Sequence, residues 1–183
     1  MENNENMEKI MIAEATPEDA KGIQEVFYET WLDTYPNEEI GISAEDIKEK
    51  NKNGLTEEEI RRRAEKLEFP PDGQYFLVAK DNLRVVALCS IETLDKNQLQ
   101  AIYVLPEYQG KGIGHLLWDE ARKKFDPDKD IFVNVATYNK KTISFYEKLG
   151  FEDTGKRYSD EQYKMKSGAI IPTMDMVLKV EKF

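Results

Sequence analysis

Apolar and polar positions follow two different periods along this chain, and the change from one to the other divides it. Lys9 to Ala15 (KIMIAEA) reads as a short edge strand. Thr16-Pro17-Glu18-Asp19 then reads as a helix start, with a hydroxyl cap, a proline in the first turn and acids at the positive end. Ala20, Ile23, Val26, Phe27, Thr30 and Trp31 keep helical spacing after it, and the pattern dissolves over Leu32 to Asn37. Two further caps, Ser43-x-x-Asp46 and Thr56-x-x-Glu59, predict short helices near 44–52 and 57–67. From Gln74 the period becomes that of strands. Gln74–Lys80, Arg84–Thr93 and Gln98–Val104 are separated by the turn residues Asp81-Asn82 and Asp95-Lys96-Asn97. A helix at about 111–125, a strand at Ile131–Val135, a helix at about 140–149 and strands at Phe151–Tyr158 and Ile171–Val180 complete the pattern. Antiparallel hairpins followed by a strand-helix-strand crossover predict an α/β fold, with a mixed, mostly antiparallel central sheet of six to seven strands and helices on both faces.

Composition narrows the class. The 183 residues, 40% hydrophobic and 34% charged, are expected to form one globular domain over 1–183, with 1–8 as a frayed tail. No apolar run approaches the roughly 18 residues that span a bilayer, and the opening MENNENMEK is too polar for a secretory leader. A cytoplasmic location is the simplest expectation, with no membrane partner. The net charge of −10 repels nucleic acid and attracts cations. A single cysteine, Cys89, excludes an internal disulfide and any cysteine cluster for a metal, and its apolar surroundings suit a small core filler. The single histidine, His115, anchors no recognisable nucleophile or metal set.

The most informative chemistry lies after the strand ending at Val104. Pro106 stops that strand, and Gln109-Gly110-Lys111-Gly112-Ile113-Gly114 carries three glycines on alternate residues before a helical pattern begins. Such glycines allow positive φ and close approach to backbone N–H groups, while a helix N-terminus adds free amides and positive potential. The expected ligand is a phosphate or pyrophosphate. The segment lacks the Gly-Lys-Ser/Thr of a P-loop, and His115 breaks the dinucleotide pattern G-x-G-x-x-G at its last position.

The loop resembles the coenzyme A loop of the GNAT acetyltransferases, Q/R-x-x-G-x-G/A, at every specified position. YVLPEY before it is also typical of that family. Asn139 to Phe151, NKKTISFYEKLGF, resembles the family's N-x-x-A-x-x-F-Y-x-x-x-G-F, with Thr142 or Ile143 where alanine is common. The resemblance covers nearly the whole chain and implies the GNAT fold and acetyl transfer from acetyl-CoA to an amine, in a ternary complex without metal. It further implies that the loop holds the pyrophosphate and that Ile102, Tyr103 and Val104 hold the pantetheine arm along their strand. Asn139, Ile143 and Phe145 would flank the cofactor, and Tyr146 would be the general acid. Glu92 is the first candidate for general base, and Tyr103 with a water is the second.

In that family the segment between the first two helices covers the amine pocket. Here it is WLDTYPNEEIGIS, which offers Trp31, Tyr35 and the acids Asp33, Glu38 and Glu39 to an ammonium group. Trp31, Tyr35 and Glu38 are therefore the expected acceptor contacts, and the segment resembles the bacterial polyamine-acetylating subgroup. A non-catalytic acyl-CoA-binding regulatory module and an acetyltransferase acting on a protein N-terminus are the rival readings. Whether the chain forms a homodimer is left open.

Overall fold

The computed structural model describes residues 10–180, so the expected tail at 1–8 lies outside the described residues. Its strands are β1 (Ile10–Glu14), β2 (Gln74–Asp81), β3 (Arg84–Glu92), β4 (Asn97–Val104), β5 (Ile131–Ala136), β6 (Glu152–Lys164) and β7 (Ile170–Leu178). Its helices are α1 (Ala20–Thr34), α2 (Ala44–Lys50), α3 (Glu57–Glu68), α4 (Ile113–Ala121) and α5 (Lys140–Lys148). The strands form one sheet in the order β1-β2-β3-β4-β5-β7-β6, antiparallel at every pairing except β4 with β5.

The expected caps close the helices. The Asp19 carboxylate accepts from the Thr16 amide at 3.0 Å, while the Ser43 and Thr56 hydroxyls accept from the amides of Asp46 and Glu59. Three elements depart most from the sequence reading. First, α1 continues to Thr34, because Leu32 and Tyr35 pack into a second apolar cluster around Ile42 and Ile47 and the Tyr138 hydroxyl donates to the Tyr35 carbonyl at 2.8 Å. Second, α4 begins only at Ile113, since Gly112 sits left-handed at φ 81°, and it gives way to a 3₁₀ turn at Arg122–Lys124. Third, β6 runs on to Lys164, its pairing with β7 interrupted by two irregularities.

One side chain fixes where β4 starts against β5. Asn97 is fully buried; its amide donates to the carbonyls of Asp126 (2.7 Å) and Lys129 (2.8 Å), and its oxygen accepts from the Asp126 amide at 3.0 Å. Asn97→Ala would strand those backbone groups without partners. The expected loss is about 2–4 kcal/mol of unfolding free energy, read from urea denaturation.

Two helical layers cover the sheet on opposite faces. Consecutive strand residues point to opposite sides. Tyr103 meets Phe27 of α1 edge-on at 5.3 Å between ring centres, whereas the side chain of its neighbour Ile102 lies under Gly114 of α4. Thus α1 is on one face and α4 on the other. The main core fills both layers, from Ile23 and Val26 of α1 to Leu117 and Trp118 of α4.

Candidate active site

The sheet has an opening in it. β4 and β5 pair only from Asn97/Ile131 to Leu99/Val133, and beyond that the two strands part. β4 keeps its bonds to β3 on the other side, through Ser90/Ala101, Cys89/Ile102, Leu88/Tyr103 and Ala87/Val104. In an antiparallel pair alternate residues turn their N–H and C=O groups to opposite edges, so the Ala101–Val104 stretch turns toward the gap an edge that no strand covers. The gap is a cleft of about 700 Å³, bounded by Gln100–Val104 on one side and Asn134–Ala136 on the other. Its lining includes residues of α1 and of both α4 and α5, so it reaches from one face of the sheet to the other.

At one end lies the glycine loop. Gly110 and Gly112 both adopt positive φ, 75° and 81°, which any β-branched residue would resist. The first amides of α4, at Ile113 and Gly114, have no carbonyl one turn back in the helix to bond with. The Gln109 side chain ties the loop to β4 by donating to the Val104 carbonyl at 3.0 Å, and Lys141 of α5 donates to the other end of the same amide. Gly114 also lets α4 approach α5, since a Cβ there would stand 3.2 Å from the Phe145 ring. This corner can hold an anion through backbone donors. The lysines Lys141 and Lys148 line the same cleft.

Midway stands Tyr146. Asn139 caps α5 by accepting from the Thr142 amide at 3.1 Å, and this places Tyr146 on the inner side of the helix, only 3% exposed. Phe145 and Phe151 pack edge-on against its ring at 5.3 and 5.6 Å. Burial pushes its phenol well above the ordinary tyrosine range, and Cys89 and Tyr103 nearby act in the same direction; the Ile102 backbone amide acts in the opposite one. The hydroxyl therefore sits against the middle of β4 with its proton firmly held.

At the α1 end, the hydroxyls of Tyr35 and Tyr103 lie 3.1 Å apart. Burial raises the pKa of both, Tyr35 most strongly; the Tyr35 hydroxyl and the Trp31 indole N–H partly offset the effect at Tyr103. The Trp31 nitrogen is buried beside Tyr103 without a hydrogen-bond partner of normal geometry. Two hydroxyls that share one bond leave one phenolic proton uncommitted. Asp33, with Thr30 and Thr34, completes this end and is the one carboxylate lining the cleft among the described residues.

Most of the residues expected from sequence meet here. Ile102, Tyr103, Val104, Gln109, Gly110, Gly112, Ile113, Gly114, Asn139, Phe145, Tyr146 and Tyr35 all line the cleft. Five do not. Glu92 stands at the far end of β3, opposite Gln98, and reaches the cleft only through Gln100, whose amide donates to it at 3.0 Å. The Lys111 ammonium folds over the Tyr108 ring, 4.8 Å from its centre. Ile143 packs into the main core from the opposite side of α5. Trp31 packs behind Tyr35 at a tilt, 4.7 Å between ring centres, and forms the wall's backing, and Glu38 is exposed on a 3₁₀ turn beyond it. Sequence reasoning had not placed Lys141, Ser144, Lys148 or Asn134 at the cleft. The first three repeat at i, i+3 and i+7 on α5, a polar stripe legible in the sequence once the cleft is known. Cys89 is fully buried, and its thiol pKa is pushed up by burial alone. Among the described residues no helix is long and apolar enough to cross a membrane, and no cluster of His, Cys, Asp or Glu could hold a metal ion.

The acetyltransferase (GNAT) domain family model matches residues 32–166, and the chain belongs to the GNAT acetyltransferase family. No curated protein matches it. Among solved structures, PaiA N-acetyltransferase from Thermoplasma acidophilum in complex with coenzyme A is 24% identical, with a TM-score of 0.67 over 90% of this chain and 97% of that one. YncA from Salmonella typhimurium with its cofactor acetyl-CoA is 22% identical, with a TM-score of 0.62 and 96% of each chain covered. The ribosomal-protein-S18-alanine N-acetyltransferase from Escherichia coli is 18% identical, with a TM-score of 0.58 over 95% of this chain and 96% of that one. At these identities the likeness is one of fold.

Proposed function

We propose that this protein, working as a single catalytic domain, transfers an acetyl group from acetyl-CoA directly to a small cationic primary amine. The observation that carries the reading is the parting of β4 from β5, with an anion corner at one end of the exposed strand and a buried phenol at its middle. The coenzyme A bound to PaiA and the acetyl-CoA bound to YncA support the choice of donor.

In this reading the amides around Gly110, Gly112 and Ile113 hold the pyrophosphate, with Lys141 and Lys148 adding positive charge. The pantetheine arm pairs with the open edge of Ala101–Val104 as an added strand would. The thioester supplies an activated acyl carbon and a leaving thiolate. A backbone N–H of the same strand edge donates to the carbonyl oxygen as charge builds on it. The amine enters from the α1 face, past Asp33, and its nitrogen bonds to the acyl carbon as the carbon–sulfur bond breaks. Tyr146 gives its proton to the departing sulfur and regains one from water as the thiol leaves, matching the proton that the amine releases. Tyr103 and Tyr35, held protonated by burial, form a hydroxyl pair that passes the amine's proton toward water at the open α1 end. Glu92, remote from the opening, has no part in it.

The charge arrangement favours a cationic acceptor. Lysines line the cleft on α5 and the one carboxylate lies on α1, and the chain as a whole carries −10. Thiol release from acetyl-CoA should therefore be fastest with polyamines. The KM for the amine should rise severalfold between low salt and about 0.3 M, because attraction is screened over about 10 Å at 0.1 M. Preference for neutral or acidic amines, or for a peptide N-terminus, would overturn the acceptor assignment while leaving acetyl transfer intact.

A further inference from the structure

α1 serves two cavities with two different stripes. Thr30, Asp33 and Thr34 face the cleft, whereas Gln24, Phe27, Tyr28 and Trp31, spaced i, i+3, i+4 and i+7, face a second cavity of about 350 Å³. That cavity lies between α1, the end of α2 and α3, and it shares no lining residue with the cleft.

Its charge runs against that of the chain. Lys50, Arg62 and Arg63 line it against one carboxylate, Glu59, in a protein whose net charge is −10. Arg62 already holds Glu59, at 2.6 Å, and Lys50 donates to the carbonyls of Gln162 and Lys164. Arg63 is left. Its guanidinium is half-buried, 5.3 Å from the centres of both the Phe27 and Phe76 rings, and it has no carboxylate partner among the described residues. Among the described residues one neutral oxygen, Oε1 of Gln24, accepts from it, at 3.2 and 3.4 Å, and most of its five N–H donors have no partner there. Gln24 is itself fixed, buried and donating to the Gly54 carbonyl at 2.8 Å. Rings orient a guanidinium but do not neutralise it; burial and Arg62 disfavour its charge, and Glu59 offsets them only in part.

We propose that this second cavity binds a small oxyanion-bearing molecule, a carboxylate or a phosphate, with the Arg63 fork as its anchor and Phe27, Tyr28 and Trp31 as its apolar wall. A planar donor fork beside a flat apolar wall fits such a ligand better than it fits an amine. The site is independent of acetyl transfer and would stand if the proposed acceptor were wrong.

Calorimetry on the full chain, with inorganic phosphate and with benzoate at ionic strength fixed by chloride, tests it. Phosphate alone, benzoate alone or both distinguish a phosphate site, a carboxylate site and a general oxyanion site. Saturable binding is expected in the native chain and in Gly112→Val, which disables the glycine loop. Binding should weaken at least tenfold in Arg63→Gln. Because Arg63→Gln removes a clamp between α1 and β2 and could unfold the chain, Gln24→Glu is the companion variant. It sets a carboxylate against Arg63 at the loss of the bond to the Gly54 carbonyl, so it should abolish anion binding while Arg63 keeps its packing on Phe27 and Phe76. Absence of saturable binding in the native chain, binding lost in Gly112→Val, or binding unchanged in folded Arg63→Gln or Gln24→Glu would each overturn the assignment.

Discussion

Tyr146→Phe is expected to lower kcat about a hundredfold while leaving the Kd for acetyl-CoA within about twofold. The substitution deletes one hydroxyl and keeps the ring that Phe145 and Phe151 pack against, so the core loses little. What is lost is a positioned proton donor, which contributes on the order of a hundredfold or more. The pH profile separates this role from packing. A phenol whose pKa is raised stays protonated as pH climbs through about 10, so the native enzyme should show no alkaline loss of kcat from Tyr146 below that point. The rate should instead rise from acid toward alkaline pH as the acceptor amine loses its proton. Unchanged kcat in Tyr146→Phe, measured where chemistry limits the rate, would remove this residue from the mechanism.

Gly112→Val should weaken coenzyme A binding by about a hundredfold. Gly112 stands at φ 81° at the N-cap of α4. Valine resists that conformation, and its branch would cover the amides that face the phosphates. The strain itself should cost about 1–3 kcal/mol of stability, which a chain of this size tolerates. Calorimetry on protein shown by circular dichroism to be folded gives the answer. Undiminished affinity would move the pyrophosphate elsewhere.

The placement of these two residues at the cleft is legible from sequence because it is set locally. A left-handed glycine at a helix start, and a tyrosine beside the apolar face of a capped helix, are specified within a dozen residues of chain. The sheet was legible for the same reason, since its hairpins turn at Asp81-Asn82 and Asp95-Lys96-Asn97, and its caps at Ser43 and Thr56 form as spaced. Glu92 was misplaced because the level at which β4 and β5 stop pairing is a tertiary property. Nothing in VVALCSIE tells which end of the strand faces the gap. Ile143 and Phe145 both fit the family motif, yet they are two residues apart on a helix and cannot share a face; Phe145 lines the cleft and Ile143 enters the core. Trp31 and Tyr35 lie one turn apart with their rings tilted together, but only Tyr35 reaches the cleft, while Trp31 lies on the stripe of α1 that faces α2 and α3. Lys111 belongs to the loop expected to hold the pyrophosphate, yet its ammonium lies over the ring of Tyr108 and outside the cleft lining.

The central claim is that the open edge of β4 is where an acetyl group passes from coenzyme A to an amine. Mass spectrometry of the purified chain mixed with acetyl-CoA and a series of polyamines, amino acids, aminoglycosides and peptides tests it most directly. Acetylated amine should appear in step with free coenzyme A thiol, with no acetylated protein accumulating when the amine is withheld. Tight binding of acetyl-CoA with no acetylated product from any amine would mark a binding module rather than an enzyme, and would contradict the account.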